Sequence, residues 1–168
     1  MTVKISGPET SDVGGCEQVL RALPDYFGIE EALVQYLKDI ETQPTFHAYL
    51  DRSLVGFLTI TRHTAGSAEI HVMGVLPKEH RKGIGSELVR TAEHFLIQDG
   101  VVLFEVKTLG EAHPDENYKR TRAFYRAQGF LPLEEISDFW GKGLPTLFMV
   151  KPLTQEPERP NNQVEQMR

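Results

Sequence analysis

The run Glu69-Ile-His-Val-Met-Gly-Val-Leu-Pro-Lys-Glu-His-Arg-Lys-Gly-Ile-Gly-Ser86 concentrates residue types that can hold a phosphate. It reads as a strand, a proline stop, a basic loop and the start of a helix. Gly83 and Gly85 allow backbone conformations that a Cβ forbids, and they let a ligand come close. The unpaired N–H groups and the dipole of a helix N-terminus favour an anion at that point. Lys78, His80, Arg81 and Lys82 add local positive charge to a chain of formal net charge −6. Together Arg81, Lys82, Gly83, Ile84, Gly85 and Ser86 describe a phosphate cradle. It is not a Walker loop, because G-x-x-x-x-G-K-[ST] is missing. It is not a dinucleotide fingerprint either, because Leu88 stands where the third glycine belongs. A bare Gly-x-Gly is also the ordinary form of a tight loop with solvated Lys and Arg, so its weight depends on its surroundings.

The cradle needs a scaffold, and the changing apolar period supplies one. Val3–Ile5 is a short strand and Glu17–Ala22 a helical stretch. Glu30–Glu41 is a clearer helix, with Leu33, Tyr36, Leu37 and Ile40 on one stripe and acidic residues in the first turn. Phe46–Leu50, Leu54–Arg62 and Ala68–Leu76 form a three-strand meander. The helix after the cradle runs to about Gln98 and buries Ile84, Leu88, Ala92 and Phe95. Val101–Val106 is nearly all apolar, which predicts a central strand covered on both faces. A polar loop from Lys107 to Asn117 leads into a helix over Tyr118–Gln128. Phe130–Ile136 and Thr146–Val150 close the chain as strands. This is a mixed α/β arrangement, one sheet with helices packed on it. Residues 1–153 are expected to form a single domain. Thr154 to Arg168 has no aromatic residue and no periodic stripe, and reads as a disordered or loosely docked tail.

Composition narrows the classes further. The chain has 168 residues, enough to bury a core without a disulfide or metal staple. Lys and Arg number 18 against 24 Asp and Glu, which argues against a nucleic-acid binder with its basic face. The single Cys16 excludes an intrachain disulfide framework and a multi-Cys zinc site, so no metal is expected. One cysteine, no charged-then-apolar leader and no apolar run long enough to span a bilayer lead us to expect a cytoplasmic protein with no membrane partner.

Two segments carry a family resemblance. His80–Gly85 resembles motif A of the GNAT N-acetyltransferases, [Q/R]-x-x-G-x-[G/A] after a β-strand. Tyr118-Lys-Arg-Thr-Arg-Ala-Phe-Tyr-Arg-Ala-Gln-Gly-Phe130 resembles the motif B helix, N-x-x-A-x-x-x-Y-x-x-x-G-F, with Tyr125 and Gly129-Phe130 at the matching offsets. The order of elements over about Val3 to Lys151 follows the family as well. The resemblance implies a GNAT-like α/β (α+β mixed) fold. Its central sheet is mixed, mostly antiparallel and of about six to seven strands. The fourth and fifth strands splay, and helices lie on both faces. It implies acetyl-CoA as co-substrate, with the pantetheine arm in the splay against the backbone of Met73, Gly74 and Val75. The pyrophosphate would sit on the amides of Arg81 to Ser86. His80 stands at the usual Gln/Arg position. Tyr118 replaces the motif B Asn and Thr121 its Ala, which leaves Asn117 or Tyr118 as the residue beside the pantetheine.

The same resemblance assigns acid and base. An attacking amine must be neutral, and the departing thiolate needs a proton. Tyr125 matches the family's tyrosine donor near the thioester sulfur. Glu69, fourteen residues before Gly83 in an Ala-Glu-Ile context, matches the catalytic Glu of the histone-acetyltransferase branch. Glu105, in Phe-Glu-Val-Lys, is similar to the base of ribosomal-protein N-terminal acetyltransferases. His71 is a further candidate or relay, since strand alternation places Glu69, His71 and Met73 on one face. The expected function is acetyl transfer from acetyl-CoA to a primary amine, of a small molecule or a protein, by direct attack in a ternary complex. The alternative is a non-catalytic acyl-CoA-binding module with the same cradle, and a weaker one is an enzyme of some other nucleotide. Family members are often dimers, so a homodimer is a further expectation.

Overall fold

The computed structural model describes residues 2–9 and 12–154. The expected tail therefore lies outside the described residues except for Thr154. The elements are β1 (Val3–Glu9), α1 (Val13–Arg21), α2 (Pro24–Phe27), α3 (Glu30–Thr42), β2 (Thr45–Leu50), β3 (Ser53–Arg62), β4 (Ser67–Val75), α4 (Ile84–Gln98), β5 (Leu103–Leu109), α5 (Glu116–Ala127), β6 (Leu131–Ile136) and β7 (Thr146–Pro152). A 3₁₀ turn over Pro77–Glu79 follows β4. The order read from the sequence is present, with the short α2 added between the first two expected helices.

Local chemistry explains where the helices begin. The Asp12 carboxylate accepts from Gly15 N at 2.9 Å and caps α1. Asp115 does the same for α5, accepting from Asn117 N at 2.7 Å. Glu30 and Glu31 sit in the first turn of α3, where the dipole favours them.

The strands form one seven-stranded sheet in the order β1-β2-β3-β4-β5-β7-β6. Every neighbouring pair is antiparallel except β4 with β5, which is parallel. That parallel pairing covers only Ser67–Ile70 against Leu103–Val106. Beyond it the two strands part, and this is the splay that the resemblance implied.

Each face of the sheet carries its own core. On one face α4 and α5 bury Ile84, Leu88, Ala92 and Tyr125 against Leu58, Ile70, Phe104 and Met149. On the other, α1 and α3 bury Val19, Leu20, Leu33 and Ile40 against Phe57 and Val72. Phe57 is fully buried there. Phe57→Ala is expected to cost about 3–5 kcal/mol, because the cavity left behind collapses only in part. Chemical denaturation checks this, and the midpoint should fall with the slope unchanged.

Two sequence expectations need correction. The fifth strand starts two residues later than expected and runs to Leu109, because the amides of Val102 and Leu103 both turn to the carbonyl of Gly66. It is not covered on both faces. Phe104, Val106 and Thr108 are buried under α4 and α5, while Glu105 and Lys107 on the opposite face are only half-buried. The second correction concerns alternation along β4. Thr59 pairs with Val72 and Ile60 with Ile70, so His71 is an extra residue in a β-bulge. The bulge inverts the register of facing. Glu69 and His71 look towards α3, whereas Met73 packs into the α4 core on the other side.

Candidate active site

The cradle forms where β4 passes through the 3₁₀ turn into α4. Arg81 adopts φ +64° and Gly83 φ +80°, both left-handed, which turns the chain sharply enough to start the helix. Gly83 caps α4 without any side-chain hydrogen bond, so the first amides of the helix stay open to a ligand. A Cβ on Gly83 would meet nothing within 4 Å, so the space in front of the loop is clear. Gly85 is small for a different reason: a Cβ there would lie 3.2 Å from Phe124 Cζ, and α5 needs that close approach. Gln128 at the end of α5 donates to Ser86 Oγ at 2.9 Å and ties the two helices together.

The basic residues of the loop divide by role. His80 Nε2 donates to the Val75 carbonyl at 2.6 Å and pins the loop to the end of β4. Lys82 is paired with Glu79 at 2.8 Å. Arg81 and Lys78 form no ion pair among the described residues and remain available to a phosphate. Met73, Gly74 and Val75 lie beyond the last β4–β5 pair, so their backbone borders the splay.

Two of the nominated acid–base residues meet at that splay. Glu69 and Glu105 are direct partners in the parallel register, near its open end. Glu69 is 9% exposed. Its Oε2 accepts from Lys107 Nζ at 2.7 Å and lies 2.6 Å from His63 Nε2. Lys107 Nζ is also 3.0 Å from Glu105 Oε1 and 5.3 Å from the centroid of Phe148. Ligand atoms of His63, Glu69 and Glu105 lie within 4.8 Å of one another, a spacing that suits a cation, and the Lys107 ammonium supplies that charge. Burial alone would lower the Lys107 pKa, but hydrogen bonds to Glu69 and Glu105 outweigh it and the net direction is upward.

His71 is held apart from this cluster. Its Nε2 is 2.8 Å from Asp39 Oδ2 on α3, and its ring makes an edge contact with Tyr36 at 5.6 Å. The structure thus joins Glu69 with Glu105 and gives His71 a different partner.

Tyr125 stands on the α4–α5 side of the sheet, 7% exposed, against Phe124 and Phe130. Burial pushes its hydroxyl well above the ordinary phenol range, with Tyr118 and Tyr36 adding to the shift. It stays protonated, and its hydroxyl has no hydrogen-bond partner among the described residues. Tyr36 is raised too, by burial and then by Glu69 and Asp39. Tyr118, pushed up to about 12 mainly by burial, packs edge-on to Tyr26 at 5.3 Å. The Tyr26 hydroxyl donates to the Asn117 carbonyl at 3.2 Å and anchors the start of α5 to α2.

Sequence reasoning missed His63, Lys107, Asp39 and Tyr36 as members of the site. Lys107 carried a signal, since it follows Glu105 by two on the same strand face. In the sequence Tyr36 stands only as part of a helix stripe. Phe139 and Trp140, on the loop between β6 and β7, are half-exposed, with Phe139 edge-on to Phe148 at 5.1 Å. A hollow at the β5–α5 loop, lined by His113, Asp115, Lys119 and Arg122 among others, includes none of the nominated site residues.

The architecture has many solved counterparts. The ribosomal-protein-S18-alanine N-acetyltransferase from Escherichia coli matches with a TM-score of 0.74 and 16% identity, over 94% of this chain and 98% of that one. An aminoglycoside 6'-N-acetyltransferase from Enterococcus faecium matches with a TM-score of 0.71 and 18% identity, over 92% of this chain and 99% of that one. A GNAT family acetyltransferase from Elizabethkingia anophelis with acetyl-CoA bound matches with a TM-score of 0.71 and 14% identity, over 90% and 98%. At these identities the likeness is one of fold. No curated protein matches the sequence. The model of the acetyltransferase (GNAT) family matches residues 17–130, from α1 through both glycine-bearing motifs to the end of the α5 segment. That span is well over half of the chain, and the protein belongs to the GNAT acetyltransferase family.

Proposed function

We propose that this protein moves the acetyl group of acetyl-CoA to a primary amine by direct attack in a ternary complex. One observation carries the reading: the parallel pairing of β4 with β5 stops one residue past the paired carboxylates Glu69 and Glu105, so the gap that opens there begins beside them. In this reading a thioester lying in that gap has Glu69 or Glu105 as proton acceptor and Tyr125, on the α4–α5 side of the sheet, as proton donor. The amine nitrogen attacks the carbonyl carbon and gives its proton to Glu69 or Glu105, and the C–S bond breaks. The thiolate takes its proton from Tyr125. The open amides of α4 with Arg81 and Lys78 hold the pyrophosphate. Met73 and Gly74 offer backbone groups to the pantetheine, and Asn117 or Tyr118 borders it.

The only cysteine supports direct transfer over an acyl-enzyme. Cys16 is buried, and burial pushes its thiol up to about 12, so it has no reactive thiolate near neutrality. Two of the solved counterparts are named for transfer to nitrogen, on an aminoglycoside and on a protein alanine, which agrees with an amine acceptor. No helix among the described residues is long and apolar enough to cross a membrane.

The test has two arms. Acetyl-CoA at about a hundred times its Kd should stabilise the fold by about 2.7 kcal/mol, a rise in Tm of roughly 5–10 °C, whereas ATP should have no effect. Thiol release across a panel of primary amines should then exceed the amine-free rate. Stabilisation without thiol release for any amine would leave a binding module and overturn the enzymatic reading.

A further inference from the structure

Glu69 and Glu105 are direct neighbours across a parallel strand pair, and like charges so placed repel. Nothing in the acetyl-transfer chemistry itself explains how two carboxylates are held side by side on a partly buried face of the sheet. Lys107 lies two residues beyond Glu105 on the same face of β5, with Nζ 2.7 Å from Glu69 Oε2 and 3.0 Å from Glu105 Oε1. We propose that Lys107 is a positioning residue of the acetyl-transfer site. Its ammonium bridges the two carboxylates, offsets their mutual repulsion and fixes them beside the splay. The functional half of this role rests on the acetyl-transfer reading given above.

The surroundings leave Lys107 as the fixed positive charge at this place. From the β3–β4 turn, His63 reaches the same Glu69 oxygen, but it is a cation only when protonated. From α3, Asp39 is engaged by His71, and Tyr36 lies close enough for Glu69 and Asp39 to raise its hydroxyl. From β7, Phe148 gives an uncharged ring under the ammonium. The Lys107 side chain is 17% exposed. The cost of desolvating it is offset by two charge-assisted hydrogen bonds and the aromatic face. Its upward pKa direction agrees, so the bridge stays charged across the working range.

The bridge also divides the four carboxylate oxygens into engaged and unengaged ones. Glu69 Oε2 takes two donors and Glu105 Oε1 one, while Glu69 Oε1 and Glu105 Oε2 have no partner among the described residues. The three groups together keep one net negative charge, which attracts an incoming ammonium without binding it as two bare carboxylates would.

The test uses the full chain with Lys107→Met and Lys107→Arg. Carboxyl ¹³C NMR titration of the two glutamates requires no turnover. In Lys107→Met the midpoint of at least one should rise by about one pH unit or more. The acidic limb of kcat/KM should rise with it, and Lys107→Arg should restore both. Lys107→Gln is the second variant if the methionine protein does not fold. Unmoved midpoints in a folded variant overturn the proposal. Moved midpoints with an unmoved acidic limb overturn the positioning role. Moved midpoints in a protein whose wild type acetylates no amine sink the acetyl-transfer reading instead.

Discussion

Tyr125→Phe is expected to lower kcat about a hundredfold and to leave the KM for acetyl-CoA almost unchanged. The substitution removes one oxygen and keeps the ring. The ring packs with Phe124 at 5.4 Å and Phe130 at 5.8 Å, contacts that phenylalanine can keep. The hydroxyl has no hydrogen-bond partner among the described residues, so its loss strands no buried group and should barely change stability. Burial holds the phenol well above its ordinary range, so it is a donor throughout the working pH and never the base. Its proton is needed when the C–S bond breaks and at no earlier stage, so the loss falls on kcat. Steady-state and single-turnover assays both read it. Unchanged turnover in the two would remove Tyr125 from the chemistry and return it to the core.

The same residue shows what the sequence could and could not carry. Tyr125 was found because a helix motif fixes its offset from Gly129 and Phe130, all within one element. The cradle was legible for a similar reason: glycines, basic residues and a helix start lie in one short run. Periodicity placed the strands and helices within a few residues. It failed where tertiary contacts override it. The bulge at His71 is a property of how β3 and β4 pair, and no alternation in β4 alone reveals it. Without the bulge, Met73 would share a face with Glu69. The half-open face of β5 was hidden by the run Val101–Val106, since apolar residues at its start sit in the approach to the strand. Lys107, His63 and Asp39 come from three separate elements and converge only through register and packing. Charged residues at such positions read as a solvated face until their partners are known.

Glu69→Gln is expected to lower kcat/KM at neutral pH by about a hundredfold or more and to abolish the acidic limb of its pH profile. Below its midpoint a carboxylate base is protonated and cannot accept the amine proton, so the wild-type rate should fall as pH drops. Glutamine has no such titration, and the limb should vanish rather than move. That separates this variant from Lys107→Met, where the limb should shift but persist. The fold should tolerate the change, because the glutamine carbonyl can still accept from Lys107 and His63, and Lys107 retains Glu105 at 3.0 Å. The competing bases make distinct predictions. If Glu105 is the acceptor of the proton, Glu105→Gln abolishes the limb and Glu69→Gln keeps it. If His71 serves, both glutamine variants keep the limb, and Asp39→Asn moves it by disturbing the 2.8 Å contact that orients the ring. Glu69 is favoured among the three because it is the most buried and receives two donors on one oxygen, which leaves the other without a partner among the described residues. A wild-type profile from Glu69→Gln would reject that assignment.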